Sequence, residues 1–157
     1  MKIIAIDTAT DVCGISYLID REIIHTIEDN IPRQHAKSLP LFYEKLCSET
    51  QLTLNNIDGI AVSIGPGSFT GLRIGLSYAK GLAFGCGLPI IPVPTLTAIM
   101  KSGEAFNGTA LAILYSHRDI VYAQRFKIND NTVNPDNEIA AYEWNKINPS
   151  FKELDLI

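Results

Sequence analysis

Residues 59–84 read GIAVSIGPGSFTGLRIGLSYAKGLAF. Gly59–Ile64 is short and wholly apolar, the pattern of a strand covered on both faces. Gly65-Pro66-Gly67 breaks it, and Ser68 or Thr70 is placed to cap a helix that runs to about Phe84. Inside that helix Gly71, Gly75, Ala79 and Ala83 recur at every fourth position, so four small residues share one face. A glycine in a helix interior costs up to about 1 kcal/mol relative to alanine. Two of them in one row imply that another stretch of backbone comes close. Spacing leaves open whether that backbone is the chain's own sheet, its first helix or a second polypeptide. Between Gly59 and Met100 only Arg73 and Lys80 are charged, and no residue is acidic. Such a region is either core or a surface that a partner covers.

Working outward, Lys2–Thr8, Cys13–Ile19 and Glu22–Glu28 have the β-branched content of strands, and their short links predict an antiparallel meander. A helix is expected from about His35 to Gln51, with Leu39, Phe42 and Leu46 on its inner face and Pro40 near its start. Pro89–Val93 reads as another buried strand, and Thr95 as the cap of a short helix to about Lys101. This order predicts an α/β fold, a mixed sheet with helices on both faces. Thr109–Tyr115 and Ile120–Lys127 form a hairpin. From Asn129 onward six Asn residues, Pro135 and Pro149 suggest a loop-like tail with one short helix around Ile139–Asn145. Residues 1–100 are therefore expected to form one domain and 101–157 a reduced or divergent second lobe.

The 157 residues carry 13 Lys+Arg against 17 Asp+Glu, a formal charge of −4. Without a basic cluster the chain offers no dedicated surface for phosphates, so contact with RNA is expected only indirectly, through a partner. Cys13, Cys47 and Cys86 lack any CxxC spacing and read as buried thiols in a reducing compartment. The N-terminus is too short in apolar residues for a signal peptide, and Pro89, Pro92 and Pro94 interrupt the longest apolar run. A soluble cytoplasmic protein with no membrane contact is the expectation.

Chemistry-bearing patterns are sparse. The Gly65–Gly75 stretch lacks the Lys of a phosphate-binding Walker loop, and its GxGxxxG spacing is not the dinucleotide fingerprint. Amides at the start of the helix could still hold an anion, which makes Asp7, Thr8, Gly65, Gly67 and Ser68 the weak candidates for cofactor binding. His35 has Leu39 where a helical metal site would want a second ligand, and His25 and His117 stand alone. Neither a metal set nor a nucleophile–base pair is suggested by spacing. No cofactor is expected.

Three stretches, IIAIDTATDVCGISYL (3–18), RQHAKSLPLFYEKL (33–46) and GPGSFTGLRIGLSYAKGLAFGCGLPIIPVPTL (65–96), closely resemble the TsaB (YeaZ) family. That family is the small actin-like subunit needed for threonylcarbamoyladenosine formation in bacterial tRNA. The resemblance implies an RNase H/actin-like (ASKHA) fold with a truncated second lobe, and a non-catalytic scaffold that dimerises with the catalytic subunit TsaD. It also implies a TsaE-like ATPase as a further partner and a homodimer in isolation. The implied interface comprises His35, Leu39, Phe42 and Leu46 of the first helix with Gly71, Gly75, Tyr78, Ala79 and Leu82 of the second. In actin-like ATPases the first hairpin wraps nucleotide phosphates with an Asp and a Gly two residues later; here Ala9 follows Asp7, so a turn-forming role for Asp7 is expected. The turn Tyr115-Ser116-His117-Arg118-Asp119 replaces the family's Asp-Ala-Arg type. The alternative is an ATP-binding enzyme of the TsaD or sugar-kinase type.

Overall fold

The strand Lys2–Asp7 (β1) organises the first half of the chain, pairing antiparallel with Val12–Ile19 (β2) and parallel with Gly59–Gly65 (β4). A computed structural model describes residues 1–103, 107–130 and 132–150. Glu22–Asn30 (β3) pairs with β2 and Ile90–Pro94 (β5) lies beside β4, giving the order β3-β2-β1-β4-β5. β2 and β3 join through Asp20 and Arg21, both with positive φ (49° and 76°), the backbone form that suits the twist of a two-residue hairpin. The expected antiparallel meander is present.

His35–Thr50 (α1) and Phe69–Cys86 (α2) pack on this sheet, and both lie on one of its faces, where the sequence reading distributed helices over both. Period-two alternation explains why. Ile4 and Ile6, Cys13 and Ile15, and Ile60 and Val62 point to the same side and are buried with Leu39 and Leu46 of α1 and Ala79 and Ala83 of α2. β5 is a sheet edge with three of its five residues exposed, not the buried strand its apolar composition suggested. Pro92 and Pro94 lack the N–H that an inner strand would need, and an edge tolerates them.

Two compact units divide the chain, Met1–Val93 and Pro94–Ile157. Thr95–Ser102 (α3) belongs to the second unit, where Leu96 is buried with Ala112 and Phe126. Its N-cap is Pro94, and the Thr95 hydroxyl, expected as the cap, has no hydrogen-bond partner among the described residues. Gly108–His117 (β6) and Ile120–Asn129 (β7) form the expected hairpin.

The tail differs from expectation: it is not loop-like. Thr132–Pro135 (β8) and Ala140–Glu143 (β9) pair with opposite ends of β7, and Trp144–Ser150 (α4) comes next in the chain. The free edge of β7 carries backbone donors and acceptors that need partners, and these short Asn-rich segments supply them. Residues 151–157 lie outside the described residues.

Replacing Leu46, which is fully buried between α1 and the sheet, by alanine is expected to destabilise the fold by about 2–5 kcal/mol, measured by urea unfolding.

Candidate functional site

The close backbone approach announced by the row of small residues is made by Thr8, just beyond β1. The Thr8 hydroxyl, fully buried, donates to the carbonyl of Gly71 at 2.8 Å. A Cβ on Gly71 would lie 2.1 Å from the Thr8 carbonyl oxygen, and one on Gly75 would lie 2.3 Å from Thr8 Oγ1. Ala79 and Ala83 continue the row into the core. The row therefore faces the chain's own sheet, and it is not a docking surface. This corrects the expected interface at Gly71, Gly75 and Ala79, whose space is filled from within the same chain.

The same correction applies to part of α1. His35 is buried, with its Nε2–H donating to the Thr10 carbonyl at 2.9 Å, and so ties α1 to the turn after β1. Leu46 is core, while Phe42 and Leu82 are half-buried against it. Of the nine expected interface residues, Leu39 and Tyr78 alone border an open groove between α1 and α2, and Leu39 is itself fully buried.

That groove is a cavity of about 590 Å³. Ala36, Leu39 and Pro40 form one wall, and Phe69, Arg73, Ile74 and Ser77 the other. Phe69 is 68% exposed, and the Arg73 guanidinium sits over its ring, 3.7 Å from the centroid. Phe84, further along α2, is 93% exposed. Phe69, Arg73 and Ser77 recur every four residues on the side of α2 away from the glycines, the periodicity that could have found them. The outward face of α2 thus carries two exposed Phe rings and no acidic residue.

Tyr78 of the groove meets Tyr43 of α1 edge to face, with ring centroids 6.1 Å apart. Burial raises both hydroxyls above the ordinary tyrosine range, with the neighbouring Cys47 adding to the effect, and Tyr78 is pushed up to about 12. Cys13 is raised to about 11, by burial first and the nearby Asp7 second. Cys13 is the buried thiol; Cys47 is half-buried and Cys86 exposed, which corrects the expectation that all three are buried.

Several of the cofactor candidates make internal hydrogen bonds. Asp7 accepts from the Ala9 amide at 2.9 Å, a turn-forming role. The Ser68 amide donates to the Ala9 carbonyl at 2.7 Å, and Ser68 Oγ caps the Gly71 amide at 3.2 Å. A Cβ on Gly67 would come within 2.4 Å of the Ala9 oxygen, so the turn after β1 lies directly on the start of α2. Gly65, with φ at 108°, needs its glycine for the backbone form alone. Thr8, Gly67 and Ser68 thus form a packed joint between the turn after β1 and the start of α2. Among the described residues, no group of three or more His, Cys, Asp or Glu could hold a metal ion, and no helix is long and apolar enough to cross a membrane.

A two-helix face on a mixed five-stranded sheet defines a class, and comparison with known proteins agrees. The family model for tRNA N6-adenosine threonylcarbamoyltransferase (TsaD) matches residues 23–148. The chain is 38% identical over 102 residues to the tRNA threonylcarbamoyladenosine biosynthesis protein TsaB of Haemophilus influenzae, covering 65% of this chain and 43% of that protein. With the protein of the same name from Escherichia coli it is 33% identical over 135 residues, covering 85% and 58%. The solved structure of YeaZ from Pseudomonas aeruginosa superposes with a TM-score of 0.82 at 27% identity, over 90% of this chain and 67% of that one. The chain belongs to this family and, within it, to the TsaB (YeaZ) group. It spans about half the length of the curated relatives it matches.

Two measurements check this site. Gly71→Ala is expected to destabilise the fold by about 1–3 kcal/mol, because a backbone carbonyl cannot move aside, while Gly81→Ala, which meets open space, should stabilise it by about 0.5–1 kcal/mol in the same denaturation assay. Tyr78 favours its neutral form in the fold, so its contribution to stability is intact below about pH 10 and is lost as pH rises towards about 12. Absorbance titration of wild type against Tyr78→Phe should show one of the two late-ionising phenols disappear.

Proposed function

We propose that this chain is a non-catalytic docking and activating subunit in the formation of threonylcarbamoyladenosine in tRNA, working in the cytoplasm. Its partner is a TsaD-type catalytic subunit, bound through the α1–α2 groove and the outward face of α2. The observation that carries this reading is the exposed Phe69–Arg73–Ser77 side of α2 beside an open apolar groove. Large exposed aromatics flanking a concave apolar surface are the usual anchors of a protein interface. Residues 1–100 act as the docking domain, with 101–157 as its second lobe. A TsaE-like ATPase joins the pair, tRNA is reached through the partner, and a second copy of this chain is the competing occupant in the partner's absence.

The joint at Thr8, Gly67 and Ser68 supports a subunit without nucleotide chemistry of its own, since those groups are spent on each other. The competing reading, an ATP-binding enzyme, requires that joint to open. Calorimetry with ATP and magnesium separates the two: binding on the order of micromolar by the isolated chain would favour the enzyme.

Ser77→Trp fills the groove from an exposed position and leaves the core untouched. Its co-purification with the TsaD protein of the same organism should fall at least about tenfold, whereas Arg118→Ala, in the second unit, should bind like wild type. A Ser77→Trp chain that still binds normally rules out the groove as the docking site.

A further inference from the structure

We propose that the α1–α2 groove is shaped for a partner segment that sets a carboxylate beside an apolar side chain, with Arg73 as the residue that selects it. This rests on the docking reading above and names the chemistry of the occupant.

Arg73 lies at the rim, exposed, its guanidinium held over the Phe69 ring. Among the described residues it makes no salt bridge, and α2 contains Arg73 and Lys80 but no acidic residue. Glu44 of α1 is near enough to raise the Tyr78 hydroxyl, yet it does not line the groove. Any surface that covers Phe69 and fills the gap between Pro40 and Ile74 must also strip water from this cation. Burying a charge without a counter-charge is strongly unfavourable, so a cover that lacks a carboxylate is penalised. A carboxylate accepts two parallel N–H bonds from a guanidinium, and the ring beneath Arg73 fixes its plane in advance. The apolar walls then take an aliphatic or aromatic neighbour of that acid.

Self-association looks different. In a two-fold contact the same patch meets itself, so the acid facing Arg73 would have to come from Glu44 of α1, which does not line the groove. A second copy is the poorer occupant, and an acidic partner is selected by charge as well as by shape.

The test uses the full chain and the TsaD protein of the same organism, with dissociation constants measured for wild type, Arg73→Gln and Arg73→Lys at about 0.05 and 0.5 M salt. Sedimentation equilibrium follows self-association of each chain alone, and thermal melting confirms that the exposed substitutions fold. The expected result is about tenfold or greater weakening by Arg73→Gln, partial retention by Arg73→Lys, and a wild-type affinity that falls with salt more steeply than that of Arg73→Gln. Self-association of Arg73→Gln should equal or exceed that of wild type. Wild-type binding that Arg73→Gln leaves unchanged overturns the inference while sparing the docking reading. Loss of self-association in Arg73→Gln also overturns it, because a second copy, through its Glu44, would then supply the acid. If wild type forms no complex at all, the docking reading fails and this inference with it.

Discussion

The contact between Thr8 and α2 is the constraint on which the rest of the first unit depends. A buried hydroxyl bonded to the Gly71 carbonyl, with Gly75 against the same side chain, brings a helix and the end of a strand closer than any residue with a Cβ would allow. Once α2 is seated there, Ala79 and Ala83 follow into the core and the helix axis is fixed over β1 and β4. α1 is anchored to the same corner by His35 on the Thr10 carbonyl. Both helices therefore hang from one turn, residues 8–10, and the groove between them has its width set by that corner.

This arrangement separates two roles that a helical wheel alone would merge. The glycine side of α2 is spent on internal packing, and the opposite side carries Phe69, Arg73, Ser77 and Phe84 into solvent. The two glycines lower helix propensity by about 1 kcal/mol each, offset by the hydrogen bond and close packing at Thr8.

Much of the fold was legible from residue pattern. The meander at 2–30, the charge-poor strand–turn–helix at 59–84 and the hairpin at 109–127 all follow from local periodicity and turn residues, which need no knowledge of distant partners. The tail was not, because β8 and β9 are strands only by virtue of the β7 edge they complete, and Asn-rich segments have little strand preference of their own. The edge position of β5 was also hidden, as apolar composition looks the same in an inner strand and in an uncovered outer one.

For the candidate site, the sequence by itself determined that α2 has a face of small residues and that something must lie close against it, because glycine inside a helix is otherwise a net loss. It also located the charge-poor region and the isolated Arg73. Only the tertiary structure decided which element fills that face. Spacing records the angle at which a side chain leaves its helix, but not what stands opposite; that depends on the chain's return path from residue 8 to residue 71, and so the face of α2 left open is the side that the row of glycines does not occupy.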